Sequence, residues 1–216
     1  ALQGRSGLSR DRLIGYLWPD SDGDRARHHL SQSLYVLRQA LGPAAIESEG
    51  HLIRLNADLV LADVREFSED LDRGALEAAV GRYSGPFLDG FVLRGSREFE
   101  QWTDAVRQGL ASDCAMALEA LARRAEDSGD PVAATRWWER LSLHDPYNSR
   151  AVVGWMEALA AAGDPGNAIQ VARAHERKLL EELGLPPAPE VSELTRRLRE
   201  RAAPPTAGQA ARTTTD

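Results

Sequence analysis

Six polar side chains lie within one short stretch of the sequence, and their chemistry suits contact with nucleic acid. They are Arg25, Arg27, His28, Gln32, Tyr35 and Arg38. Arginine donates a pair of hydrogen bonds to guanine, and glutamine pairs with adenine, in the major groove of DNA. The same residue types are also ordinary on the solvated side of an amphipathic helix, so the elements that carry them must decide between the two interpretations.

The stretch that carries these side chains is predicted to form two helices joined by a sharp bend. Ser9 predicts the N-cap of a helix that ends near Leu17, because Trp18 precedes Pro19 and a residue before proline avoids helical geometry. A second helix is predicted over 24–41, followed by Gly42 as its C-cap. Its apolar residues are spaced by four, four, three and four, which predicts one buried stripe. The stripe comprises Ala26, Leu30, Leu34, Leu37 and Leu41.

A small β-hairpin is predicted directly after the helix pair. Ala45-Ile46 and residues 52–55 are short apolar runs on either side of the turn residues Glu49-Gly50. A helix pair followed by a hairpin is the order of a winged helix, in which the second helix enters the major groove and the hairpin forms the wing. The 24–41 helix is therefore the predicted recognition helix.

The rest of the sequence, from residue 63, has helical periodicity almost throughout. The predicted helices span 64–73, 75–83, 96–127, 131–143, 147–162, 165–183 and 190–202. Gly129-Asp130-Pro131 recurs 34 residues later as Gly163-Asp164-Pro165, a period typical of tetratricopeptide repeats. Such repeats stack their apolar faces and offer a surface to a partner. Trp138 and Trp155 are expected in the repeat core, and Trp137 nearer the surface.

The order of these motifs resembles the bacterial transcriptional activator family, which includes antibiotic-pathway regulators. The segments that carry the resemblance are LWPD, RARHHLSQSLYVLRQALG, DVREF, YSGPFLDGF, EFEQW, GDPVAATRWWERLSLHDPYN, AAAGDPGNAI and LLEELGLPP. The resemblance implies a mainly α fold, in which a winged helix-turn-helix with a small hairpin wing precedes an all-α tetratricopeptide-like domain. It predicts the C-terminal part of a winged-helix DNA-binding domain at 1–62, the activator domain at 63–203 and a disordered tail or linker at 204–216. Family members begin with a small sheet and a first helix, and residues 1–4 resemble the end of that helix. The winged helix is therefore expected to be incomplete in this chain.

The function implied by the resemblance is that of a DNA-binding transcriptional regulator in the bacterial cytoplasm. The 24–41 helix would contact promoter DNA, with site residues drawn from the six named above. The helical repeats would form a homodimer or contact RNA polymerase or a sigma factor. The alternative is a protein-interaction module of a larger signalling or sensor protein that does not bind DNA.

Charge weakens the case for DNA binding, because residues 1–62 hold seven arginines and seven acidic residues. Phosphate contacts supply most non-specific affinity for DNA. Glu47 and Glu49 in the predicted wing would repel phosphate if they are exposed. The whole chain has a net charge of −7, so affinity must come from the placement of individual arginines.

Other kinds of chemistry lack a pattern in the sequence. The single cysteine, Cys114, excludes an internal disulfide framework and is expected to be a buried core thiol. His28 and His29 are adjacent on a helix and point about 100° apart, so they are not expected to share a metal. We predict no catalytic set, no metal and no cofactor, and an apolar run of about 18 residues that would span a membrane is missing.

Overall fold

The computed structural model describes residues 7–202, and its first elements are a helix pair and a three-stranded antiparallel sheet. They follow the order β1 Leu8–Ser9, α1 Arg10–Leu17, α2 Gly23–Leu41, β2 Ile46–Glu49 and β3 Leu52–Leu55. β3 lies between β1 and β2, with Leu8 opposite Ile53 and Ser48 opposite Ile53 on the other side. The predicted helix pair and hairpin are confirmed, whereas β1 was missed because two residues carry no readable periodicity. The predicted helix end at 1–4 and the predicted tail at 204–216 lie outside the described residues.

Local signals in the sequence explain where the two helices begin and end. The Ser9 side chain accepts a hydrogen bond of 3.2 Å from the backbone N–H of Arg12, which caps α1 as predicted. α1 stops at Leu17, one residue before the Trp18-Pro19 pair. The backbone N–H of Gly42 donates to the carbonyl of Arg38 and closes the last turn of α2.

The core beneath α2 contains only the first part of the predicted apolar stripe. Leu30 and Leu34 are buried with Ile46 and Ile53 of the hairpin. Leu37 and Leu41 are 44% and 51% exposed, so their predicted burial is wrong. The physical reason is that the last turn of α2 contacts the hairpin through the polar side chain of Arg38, which reaches Ile46 and Ser48, and not through its leucines.

Within residues 7–202 seven further helices follow, and their ends lie within two residues of the predicted ones. They are α3 Asp63–Asp72, α4 Leu76–Arg82, α5 Arg97–Asp127, α6 Pro131–His144, α7 Ser149–Ala161, α8 Pro165–Leu183 and α9 Pro189–Ala202. The chain divides into two compact units, Ala1–Ala117 and Leu118–Asp216. The fold class is mainly α, as predicted, while the domain boundaries drawn from the sequence stay predictions. None of the helices described in residues 7–202 combines the length and the apolar character needed to cross a bilayer.

Both copies of the Gly-Asp-Pro motif form the turn between two consecutive helices. Gly129 and Gly163 have φ angles of 71° and 87°, a conformation that glycine adopts without strain. The aspartate that follows caps the next helix: Asp130 accepts from the N–H of Ala133 at 2.9 Å, and Asp164 from that of Asn167 at 3.0 Å. The proline then occupies the first turn, where no backbone donor is needed.

Two tryptophans of α6 and one of α7 lie in the second unit, and they differ in burial. Trp138 is buried as predicted, and its indole N–H donates to Glu126 Oε1 at 2.6 Å. Trp155 is only partly buried beside the neighbouring core cluster. The expectation for Trp137 is wrong, because the residue is only 8% exposed. The guanidinium carbons of Arg136 and Arg140 lie 4.7 and 6.0 Å from the ring centre, so two cationic side chains shield the ring from water.

A buried histidine, His175, lies in α8 of the second unit. His175 is 5% exposed, with Nδ1 3.2 Å from the carbonyl oxygen of Pro146 and Nε2 3.0 Å from Ser149 Oγ. Because a carbonyl only accepts, Nδ1–H donates to Pro146, which leaves Nε2 to accept from the Ser149 hydroxyl. Burial lowers the pKa of His175, and the Pro146 carbonyl opposes this shift more weakly.

We expect the free energy of unfolding to fall as the pH drops below the ordinary histidine pKa of about 6.5. Below that pH the histidine is protonated in the unfolded chain but stays neutral in the folded chain, where its pKa is lowered. The free energy of unfolding therefore keeps falling until the pH reaches the lowered pKa of the folded state. Urea unfolding of His175→Asn at pH 7.5 and 5.5 should show a smaller pH dependence than the wild type. The exposed His51 supplies the control, since His51→Asn should keep the wild-type dependence. Equal pH dependence in both variants would contradict the prediction.

Candidate nucleic-acid interface

Four of the six predicted site residues share one face of α2. Arg25, His28, Gln32 and Tyr35 are exposed and follow a spacing of three, four and three residues. At 100° per residue they fall on the side opposite Ala26, Leu30 and Leu34, which are buried. We call these four residues the outer face of α2. It offers guanidinium, imidazole, amide and phenol groups, all of which can hydrogen-bond to base edges or phosphates.

Arg27 lies on the flank of α2 rather than on its outer face. Its Nη2 donates to Asp24 Oδ1 at 2.7 Å, one turn earlier in the same helix. This hydrogen bond raises the pKa of Arg27, and the charge of Asp24 adds to the effect. The neighbouring carboxylate offsets the cation, so the outer face gains little positive charge from Arg27.

Arg38 reaches the hairpin instead of the outer face. Its Nε and Nη2 donate to the backbone carbonyl of Ile46 at 3.1 and 3.0 Å, and Nη2 also donates to Ser48 Oγ at 2.7 Å. The planar guanidinium therefore joins the last turn of α2 to strand β2. Sequence reasoning placed Arg38 among the DNA contacts, because it could not show where the hairpin returns to the helix.

The hairpin carries an ion pair that the sequence count of charges did not reveal. Arg54 Nε lies 2.5 Å from Glu47 Oε2 across the paired strands. Glu47 thus has a cationic neighbour that reduces its repulsion of phosphate. The backbone also ties the hairpin to α1, since the N–H of Arg10 donates to the carbonyl of His51 at 2.9 Å.

The two adjacent histidines of α2 have different surroundings. The His29 ring stacks on Trp18 with 5.9 Å between ring centres, and the His28 ring lies 6.4 Å from it. His29 is half-buried in a groove that Trp18 lines together with residues of α2, whereas His28 is exposed. Within residues 7–202, no group of three or more histidine, cysteine, aspartate or glutamate side chains is placed to hold a metal ion.

A family model described as "Bacterial transcriptional activator domain" matches residues 59–199. The chain belongs to the bacterial transcriptional activator domain family. The family resemblance drawn from the sequence is thereby confirmed, and the family consists of transcription regulators rather than enzymes. A search of curated proteins found no match.

A solved structure extends the likeness to the elements before residue 59. Mycobacterium tuberculosis EmbR, in complex with a low-affinity phosphopeptide, superimposes with a TM-score of 0.59 over 90% of this chain. The two sequences are 21% identical, so the match shows a shared fold. This member of the activator-domain family spans about half of EmbR, since 55% of that chain is covered.

Proposed function

We propose that this chain is a transcription activator that binds promoter DNA through the outer face of α2. The single observation that carries the proposal is the placement of Arg25, His28, Gln32 and Tyr35 on one exposed face. That face belongs to the second helix of a helix pair flanked by a hairpin, inside a chain of an activator family. The remaining helices would form a homodimer or contact RNA polymerase or a sigma factor. A protein that binds promoter DNA in a bacterium would act in the cytoplasm.

Charge sets how tightly such a face can bind. The first 62 residues have no net charge, and Arg27 lies against Asp24. Non-specific affinity falls with salt at a slope of roughly one unit per phosphate contacted. We therefore expect a shallow salt dependence, with base contacts by Arg25 and Gln32 supplying much of the preference for one sequence.

Selection from random-sequence DNA by the 216-residue chain, followed by anisotropy titrations across a salt series, tests the proposal. Arg25→Ala and Gln32→Ala should each weaken binding to the selected sequence by about 10- to 100-fold and relax preference at one base. The exposed Arg177 of α8 provides the matched control, because Arg177→Ala removes the same charge far along the chain. No enriched sequence and no salt slope would contradict the proposal and favour the alternative of a protein-interaction module without DNA binding.

A further inference from the structure

The outward face of α6 carries four exposed residues at a regular spacing. Val132, Arg136, Glu139 and Leu143 follow each other by four, three and four residues. At 100° per residue they fall within an arc of about 60° on one side of the helix. Val132 and Leu143 are 71% and 72% exposed, although both are apolar. We call these four residues the α6 stripe.

The α6 stripe takes no part in the core of its own unit. The residues that α6 buries are Ala134, Trp137, Trp138, Leu141 and Ser142. In the part of the chain that the structure describes, neither Arg136 nor Glu139 forms an ion pair. Arg136 lies over the Trp137 ring at 4.7 Å, which limits the movement of its side chain and lowers the entropy that a new contact would cost. The stripe is therefore an ordered surface with two apolar ends and two opposite charges between them.

The order of residues in the α6 stripe is complementary to itself when reversed. If two copies of α6 lie antiparallel about a two-fold axis midway between Trp137 and Trp138, each residue faces a fixed partner. Val132 then faces the second copy's Leu143, and Arg136 faces the second copy's Glu139. A parallel arrangement would instead place Arg136 against Arg136 and Glu139 against Glu139, which is repulsive.

We propose that the α6 stripe is a homodimer interface, in which a second copy of this chain packs its α6 antiparallel to the first. The same patch then serves both copies, as a two-fold interface requires. A partner that repeats this pattern in reverse satisfies both pairs of opposite charges. This inference rests on the homodimer named in the proposed function and specifies its surface and its two-fold symmetry. Its test does not require DNA binding, so the dimer and the DNA contact can fail separately.

The strength of such a dimer is limited by its size. Stable interfaces bury about 800 Å² on each partner, and one stripe of four side chains covers less than that. The apolar contacts between Val132 and Leu143 occur twice by symmetry, as do the Arg136–Glu139 pairs. We therefore expect a reversible dimer whose population depends on protein concentration.

Sedimentation of the 216-residue chain over a concentration series tests the proposal. The wild type should shift from monomer to dimer, and Arg136→Glu or Glu139→Arg should each lower the association constant about tenfold or more, because each creates two repulsive pairs. An equimolar mixture of the two variants should associate again, since each copy then carries the charges that the other lacks. Arg177→Glu on α8 is the matched control and should leave association unchanged.

Three outcomes would overturn the proposal. They are a wild-type chain that stays monomeric at every concentration, reversals that leave its association intact, and a mixture that associates no better than either variant alone. Circular dichroism of each variant shows whether the helices are retained. The mixture also distinguishes charge repulsion from misfolding as the cause of weaker association, because two misfolded chains would not regain association when combined.

Discussion

Replacement of Gly154 by alanine should destabilise the chain by about 2 kcal/mol, the difference between two opposing effects. Alanine is favoured over glycine inside a helix by about 1 kcal/mol, which alone would stabilise α7. Overpacking of a well-filled core costs up to about 3 kcal/mol. At Gly154 the structure indicates that overpacking is the larger effect.

The indole of Trp138 occupies the space that a side chain at 154 would need. A Cβ atom there would lie 2.5, 2.6 and 2.8 Å from Cε2, Cδ2 and Cζ2 of the ring. The ring has little freedom to retreat, because its N–H is bonded to Glu126 and it is only 2% exposed. Arg123 lies over the same ring at 5.6 Å. Either the α6–α7 contact or the Trp138–Glu126 hydrogen bond must therefore give way.

Urea unfolding of Gly154→Ala measures this cost, and the chain offers a matched control in Gly109. Gly109 lies inside α5, and among the described residues no neighbouring atom lies within 4 Å of a Cβ built there. Gly109→Ala should stabilise the chain by up to about 1 kcal/mol. Adding Trp138→Phe to Gly154→Ala should cost less than the sum of the two single changes, because the smaller ring relieves the clash. A Gly154→Ala chain as stable as the wild type would refute the argument.

The helices of the second unit were predictable because their signals are local. Gly129-Asp130-Pro131 ends one helix, caps the next and fills its first turn within three residues. The contact of Gly154 with Trp138 was not predictable, since it depends on how α6 and α7 approach each other. Trp137 was misplaced for a related reason: its ring is shielded by Arg136 and Arg140, and periodicity treats both of these residues as solvated.

The candidate site likewise has residues whose positions the sequence predicts and residues whose contacts depend on the tertiary structure. The burial of Ala26, Leu30 and Leu34 sets the rotation of α2, and helical geometry then places Arg25 and Gln32 outward. These positions followed from spacing alone. The contact of Arg38 with the hairpin depends on a tertiary arrangement, because Ile46 and Ser48 reach the last turn of α2 only through the sheet. Two-residue β1, which pairs with β3, has no pattern from which to predict it.

Replacement of Arg38 by alanine should loosen the hairpin and, if the proposed function holds, weaken specific DNA binding by about 10- to 100-fold. Hydrogen bonds from a charged donor contribute about 1.5 to 3 kcal/mol, and Arg38 donates to both Ile46 and Ser48. Their loss removes the polar link between β2 and the last turn of α2 and leaves the apolar contact of Ile46 with Leu30 and Leu34, so the hairpin is held less firmly against α2. Amide hydrogen exchange in β2 and β3 should become faster even without DNA.

Two comparisons separate this positioning role from a direct phosphate contact. Lysine keeps the charge but lacks the planar group that reaches Ile46 and Ser48 together, so Arg38→Lys should resemble Arg38→Ala in both exchange and DNA affinity. The salt slope of binding should stay at the wild-type value, whereas loss of a phosphate contact would reduce it by about one unit. Arg27→Ala is the control, because Arg27 pairs within α2 and its removal should leave exchange in the hairpin unchanged. Unchanged hairpin exchange in Arg38→Ala, or full rescue by lysine, would show that Arg38 acts through its charge and does not position the wing.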